Sequence, residues 1–476
     1  MATATGTAVQ VFESVEEWAR SWAEARERGW ETVLLDAASD GLSIRLFHPE
    51  SHRDQEMQLS PNAPRAIPLP MDMHIGEATW ALRLAVDHLP WLSWAETYRH
   101  RKVLGKGIFV YPLGPVHADV AESVLYRLSV MGDDIVRLTV ENGFKPRNIR
   151  QLCQGKTVNE ALALVERMTT TSTVAHALAF SLAVEQALDW PIAQGAKWVR
   201  MLLAELERMV SHTGDLALLA ASTGLLVPQM EYLACKETIL RVNFNLFGHR
   251  YLRGVVKPGG VKSHHIKPPD ANDYRLARQR LSGEWERIRS VRQDLDRTPS
   301  FLDRLDGTGT IPLHTREFVR PVGPVGRAAG RPFDVRRMHP YLNYSDVHLE
   351  TPCLATGDAW ARYAVKVIEL EQSFSLIMAL LEQPERLNLA DHPEMRDLAS
   401  TAMQPCVGTA FIEAPRGLMA YRVALSKDFT IARVAIATPS QRNWYVVAPA
   451  VANHNILQDF PIIDASFNLS VAGWDG

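Results

Sequence analysis

In the stretch GAKWVRMLLAELERMVSH, residues 195–212, Trp198, Leu202, Leu206 and Met209 recur at three- and four-residue intervals. That is the spacing of one face of an α-helix, so it predicts a long helix with an apolar stripe turned to a core. Two similar patterns flank it: KTVNEALALVERM (156–168), starting at the cap candidate Thr157, and DAWARYAVKVIELEQSFSLIMALLEQ (358–383). Between the first pattern and the long helix lies ERMTTTSTVAH (166–176), with five hydroxyl residues in a row ahead of the apolar ALAFSLAVEQAL (177–188). A hydroxyl of that row is expected to accept from the free backbone N–H groups of the helix it precedes.

Strand-like runs lie upstream. GIFVYPLGPVH (107–117) and VLYRLSVMGDDIVRLTVENGF (124–144) read as strands, the latter pair joined by a turn at Gly132–Asp133. The first 60 residues combine a charged helical piece, SVEEWARSWAEARERGW (14–30), with the runs ETVLLDA (31–37) and LSIRLFH (42–48). The proline-rich SPNAPRAIPLP (60–70) is expected to break regular structure. The expected architecture is mainly α with an α+β periphery: a helical core with edge β-hairpins over 106–476, preceded by a small α+β domain over 1–105.

With 46% hydrophobic and 22% charged residues, the 476-residue chain has the composition of a globular protein with room for more than one domain. A net charge of -3 gives no electrostatic case for nucleic acid as a partner. The four cysteines, Cys153, Cys235, Cys353 and Cys406, are scattered and expected to be reduced thiols in the cytoplasm. No apolar run reaches the roughly 20 residues of a membrane span, so any membrane contact is expected through a partner.

Familiar catalytic motifs such as HExxH and GxSxG do not occur. His264 and His265 are adjacent, without a nearby carboxylate, which is a poor metal-ligand pattern. His176 and His212 each read as a core histidine held by hydrogen bonds or as a ligand or proton carrier, the first being the commoner fate of such residues. The Gly- and Arg-rich segment 305–337 reads either as an irregular loop whose arginines pair internally or as a phosphate patch; the loop is the plainer reading.

Several motifs, taken in order, resemble the large subunits of membrane-bound [NiFe] hydrogenases and the related D-type subunit of respiratory complex I (NADH-quinone oxidoreductase). They are GPVH (114–117), the ExER and SH elements of the long helix, PGGV (258–261), GPVGRAAG (323–330), DVR (334–336), PYLNY (340–344), GDAWAR (357–362) and EAPRG (413–417). The N-terminal region resembles a reduced subunit-C-like domain.

In metal-binding members of this family, two CxxC pairs hold nickel and iron. Here the resemblance places them at Thr169 and Ser172, and at Ser470 and Gly473, none of which offers a thiolate. The family's RGxE motif, whose Glu moves protons, reads Arg147, Asn148, Ile149, Arg150. The complex I tyrosine that holds a quinone headgroup falls on Thr170, and its histidine falls near Leu125. What remains as a candidate acceptor cavity is His117, Thr169, Thr170, Ser172, His176, Arg416, Ser470 and Asp475, with no metal site.

The resemblance therefore implies a subunit of a membrane-associated, complex-I-like oxidoreductase of NADH- or ferredoxin:acceptor type, without a nickel-iron centre of its own. It implies a [4Fe-4S] cluster in a small subunit-B-like partner, an H-type membrane partner like that of complex I, a quinone or other polar-headed acceptor, and a place on the cytoplasmic face of the membrane. The other reading is a catalytically silent scaffold in such a complex; a true [NiFe] hydrogenase is a more distant third.

Overall fold

The computed structural model describes residues 8–12, 15–28, 30–38, 41–48, 53–59, 66–67, 93–94, 103, 105–118, 121–262, 267–387 and 406–475. The chain divides into two compact units, Met1–Lys102 with Ala435–Ala437, and Val103–Val434 with Thr438–Gly476.

The first unit runs strand β1 (Ala8–Phe12), helix α1 (Val15–Glu27), then strands β2 (Glu31–Ala38), β3 (Gly41–His48) and β4 (Arg53–Leu59). The sheet order is β1-β4-β3-β2, with β1 parallel to β4 and the other neighbours antiparallel. Trp18, Trp22 and Ala25 are buried at i, i+4 and i+7 of α1, the two indoles 5.3 Å apart. The proline-rich segment does contribute one short strand, β5 (Ala66–Ile67), parallel to β6 (Ser93–Trp94). Those two residues fall between prolines and keep both backbone N–H groups, so the break expected from sequence is incomplete.

The second unit opens with an antiparallel meander, β7 (Ile108–Leu113), β8 (Leu125–Met131) and β9 (Asp134–Glu141). The β8–β9 turn sits at the expected Gly132, whose φ of 64° suits a residue without Cβ. Helices α2 (Ile149–Cys153) and α3 (Val158–Val165) follow, the latter starting in a capping box of Thr157 and Glu160. Next come α4 (Thr173–Ala187), α5 (Gln194–Ser222) and α6 (Leu226–Phe247).

Trp198, Leu202, Leu206 and Met209 are all buried on α5, as the spacing predicts. The single stripe is nevertheless too narrow a description, because Arg200 on the opposite face is also fully buried, as are Glu205, Arg208 and His212 along the stripe's edge. The last helices of the unit explain this. After the short strands β10 (Val256–Lys257) and β11 (Gly260–Val261) come α7 (Ala271–Asp296), then α8 (Pro299–Leu305), α9 (Leu313–Val319), α10 (Gly323–Ala328) and α11 (Val335–Met338). Then follow α12 (Ala359–Leu381), the sheet β12 (Cys406–Ala414), β13 (Gly417–Leu425) and β14 (Ile431–Ala437), and helices α13 (Pro439–Val451), α14 (Phe460–Phe467) and α15 (Ala472–Asp475). Helix α5 packs against α6, α12 and α14, so neighbours surround it.

The segment 305–337 is more regular than an irregular loop, since it carries α9, α10 and the start of α11. Its arginines do pair internally: Arg327 and Arg336 are buried among carboxylates. His264 and His265 lie outside the described residues.

The PGGV turn fixes how β10–β11 meets the helices. Arg200 of α5 forms a two-pronged pair with Glu185 of α4, donating at 2.9 and 2.5 Å, and also donates to the carbonyl of Gly260. Glu185 in turn accepts from the backbone N–H of Gly259 at 2.7 Å. Gly259 has φ of +84°, and a Cβ there would stand 2.5 Å from the Trp190 ring. Gly259→Ala is therefore expected to cost about 1–2 kcal/mol in backbone strain alone, with the ring clash added. Denaturant unfolding of the variant beside wild type checks this, and an unchanged midpoint would refute it.

Candidate functional site

Three of the four positions that resemble the family's cysteine pairs meet in space. A Cβ on Gly473 would lie 3.4 Å from Thr169 Cγ2 and 3.4 Å from Ser470 Cβ. Hydrogen bonds fix the Ser470–Gly473 side of this meeting. Ser470 Oγ donates to the Glu122 carboxylate at 3.1 and 3.2 Å and accepts from the Gly473 N–H at 3.0 Å. Glu122 also accepts from the backbone N–H groups of Val471 and Ala472, so a carboxylate from the loop before β8 caps the final helix.

Thr169 and Ser172 are buried, whereas Thr170 and Thr171 are exposed. Ser172 stands at the N-cap position just before helix α4, yet its side chain makes no capping bond. The expected hydroxyl cap is replaced by Glu207 of α5, which accepts from the N–H groups of Val174 at 2.6 Å and Ala175 at 2.9 Å. A carboxyl group offers two oxygens in a buried place where a hydroxyl offers one, so it can serve two backbone N–H groups at once. Burial pushes the Glu207 carboxyl up to about 8 despite those two donors.

His176 is fully buried, with Nδ1 2.6 Å from the Tyr421 hydroxyl and Nε2 3.1 Å from Thr169 Oγ1. Burial, assisted by the nearby Arg147, drives its pKa down to about 3, so the ring is neutral at physiological pH. Both nitrogens are occupied, which makes it a core histidine and a poor proton carrier. Arg147, where the family's RGxE motif begins, donates to the carbonyls of Arg167 and Met168 and anchors the approach to the hydroxyl row.

Arg416 joins the row to α5. Its guanidinium donates to Thr171 Oγ1 at 2.8 Å, Ser211 Oγ at 3.3 Å, Asp215 Oδ1 at 3.3 Å and the Asn468 carbonyl at 2.5 Å. Asp215 also pairs with Lys366 at 2.8 Å and accepts from Asn468 Nδ2 at 2.6 Å. Burial opposes its ionisation, but Lys366 and Arg416 outweigh that and hold it near 2. His117 belongs to a different set: its Nε2 lies 2.7 Å from the Val124 carbonyl, beside Tyr126. Asp475 ends α15, and its side chain lies outside the described residues.

A cavity of about 250 Å³ opens beside the row. Its walls include Thr170, Thr171, Glu207, Ser211 and Asp215, together with Lys236 and Asn243 of α6. Sequence reading missed Glu122, Glu207, Asp215 and Lys236. Glu207, Ser211 and Asp215 sit at i, i+4 and i+8 of α5, a polar line along a buried helix that would have flagged three of the cavity's walls.

The residues at the four cysteine-like positions do not fit a nickel-iron centre. They supply two neutral hydroxyls, one further serine already committed to Glu122, and a glycine. Among the described residues, no group of three or more His, Cys, Asp or Glu could hold a metal ion.

The fold is shared with a chain of an archaeal membrane-bound sulfane sulfur reductase, a respiratory membrane complex, with a TM-score of 0.70 and 24% identity, covering 79% of this chain and 100% of that one. The carbon monoxide-induced hydrogenase of Rhodospirillum rubrum is 26% identical over 75% of this chain and 96% of its own length. A D-type subunit of the NADH-quinone oxidoreductase of Chloroherpeton thalassium is 25% identical over 75% of this chain and 85% of its own length. Residues 222–476, more than half the chain, match the family described as respiratory-chain NADH dehydrogenase, 49 Kd subunit. With that match added to the motifs and the fold, the chain belongs to the 49 kDa subunit family of respiratory-chain NADH dehydrogenases.

Proposed function

We propose that this chain is the peripheral, electron-transferring subunit of a complex-I-like, hydrogenase-related oxidoreductase and has exchanged the metal centre for a small-molecule site. Electrons from an iron-sulfur cluster in a small subunit-B-like neighbour would reach a quinone or other polar-headed acceptor at the lip formed by Thr170 and Thr171. An H-type membrane partner like that of complex I would hold the assembly on the cytoplasmic face, since among the described residues no helix is long and apolar enough to cross a membrane. NADH or reduced ferredoxin would be the ultimate donor.

The observation that carries this reading is the contrast between two adjoining places. Where the family's thiolates would lie, His176, Thr169 and Ser470 fill the space and bond to their surroundings. Beside them, the cavity remains open and is bordered by the exposed part of the same loop. The scaffold reading draws on the first half of that contrast, because a filled and neutral pocket has no evident chemistry.

The two readings part in a turnover assay on the purified complex with quinone analogues. Thr170→Trp fills the cavity from an exposed position and is expected to lower acceptor-dependent turnover at least tenfold. Unchanged turnover would favour the scaffold. Elemental analysis of the same preparation is expected to find no stoichiometric nickel, and one nickel per complex would overturn the reading.

A further inference from the structure

We propose that the cavity takes an amphipathic organic anion bearing a single negative charge and an O–H or N–H donor, a hydroxy-substituted aromatic or short-chain carboxylate, held by Lys236 and Asn243. The inference rests on the reading of this cavity as a small-molecule site and deepens it by naming the class of occupant.

The charge follows from Lys236. This side chain lines the cavity, reaches across Gly214, and makes no hydrogen bond among the described residues. Burial lowers its pKa, and in the ammonium form its three donors meet no acceptor among the described residues. The carboxylate that acts on it electrostatically is Asp215, already engaged by Lys366, Arg416 and Asn468. The other cation of the wall, Arg250, is claimed by Glu237 at 2.6 and 2.8 Å. Glu207 adds little negative charge near neutrality, because burial keeps its carboxyl protonated up to about 8. Lys236 is therefore the cation of the wall that no acceptor among the described residues engages by hydrogen bond, and its complement is an anionic group.

The donor follows from Asn243. It is 2% exposed, and its Nδ2 donates to the Arg250 carbonyl at 3.1 Å, which fixes the amide's orientation. Its Oδ1 is buried without a partner. A second cavity-lining group, Thr173 Oγ1, is likewise buried and unpartnered in a residue 1% exposed. Buried polar atoms are rarely left unbonded, so an acceptor such as Asn243 Oδ1 calls for a donor from the occupant. The apolar body follows from Val210, Leu218, Leu240 and Leu252, which also line the cavity.

Titration calorimetry on the purified complex tests this with three probes of similar shape: 4-hydroxybenzoate, benzoate and 4-hydroxybenzyl alcohol. The first is expected to bind at least tenfold more tightly than benzoate, which lacks the donor, and than the alcohol, which lacks the charge. Lys236→Met, which keeps the apolar stem, is expected to abolish the preference for acid over alcohol, while Lys236→Arg retains it. Absence of binding by all three probes would overturn the proposal, as would alcohol binding equal to the acid or an unchanged preference in Lys236→Met. Because binding is read without turnover, failure of the electron-transfer reading appears separately, as absent acceptor reduction in a complex that still binds the probe.

Discussion

Arg327→Met is expected to destabilise the chain by about 3–5 kcal/mol, a large part of the roughly 5–15 kcal/mol that holds a typical domain folded. Arg327 is fully buried and donates to Glu369 at 2.7 Å, to Glu413 at 2.8 Å and to the Phe333 carbonyl at 2.8 Å. Methionine fills similar volume but leaves two carboxylates without their main cation. Burial opposes ionisation of Glu369, yet Arg327 and His212 now hold it near 2. Without the guanidinium its pKa must rise, so the variant's deficit is expected to be larger at pH 8 than at pH 5, where protonation relieves the unpaired charge. Arg327→Lys keeps the charge but cannot reproduce the three directed bonds, and an intermediate loss follows. Denaturant midpoints at the two pH values check both points, with soluble yield as the readout for a variant too unstable to purify. A midpoint equal to wild type at pH 8 would remove Arg327 from the centre of the network.

That network explains what the sequence motifs encode. The ExER and SH elements, GPVGRAAG, DVR, PYLNY and EAPRG supply Glu205, Arg208, His212, Arg327, Asp334, Arg336, Tyr344 and Glu413, which are linked in a single buried cluster, His212 through Glu369 of α12. Glu205 alone accepts from Arg336 at 3.1 Å, Tyr344 at 2.6 Å and Ser373 at 2.6 Å. His212 lies 2.9 Å from Glu369, the core-histidine outcome. The residues that carry the family resemblance thus hold the helices together, which is why they identify the fold well and the chemistry poorly.

Local features were legible for a related reason. The Gly132 turn, the Thr157 capping box and the α5 stripe depend on residues within a few positions of one another. Glu122 and Glu207 were not legible, because each caps a helix distant in the chain: Glu122 meets Ala472 across 350 positions, and Glu207 meets Val174 across 33. Capping signals in sequence are local, so a cap delivered by another segment of the chain leaves no trace beside the N-terminus it serves. The hydroxyl row reads as a cap in sequence and instead forms a buried part, in which Thr169 bonds to His176, and an exposed lip at Thr170 and Thr171.

Glu207→Ala is the second large effect. It removes both acceptors from the first turn of α4 and leaves two buried N–H groups orphaned, each at about 1–3 kcal/mol, so a total loss of roughly 2–6 kcal/mol is expected. The pH dependence gives this residue a signature that a packing defect would not share. Its carboxyl is raised from 4.5 to about 8 in the folded chain, so between those values the folded state binds more protons than the unfolded one. Stability from this group is then fully present below about 4.5 and declines as pH rises through about 8. Glu207→Gln cannot ionise, so its thermal midpoint is expected to fall less than wild type's between pH 6 and pH 9, while one amide N–H set against a helix N–H lowers it at every pH. His176 runs the opposite way, with a pKa depressed from 6.5 to about 3, and its contribution is lost as pH falls below 6.5. The two ranges separate the groups: the alkaline decline belongs to Glu207, and an alkaline decline of the same size in Glu207→Gln would show that another buried carboxyl is responsible.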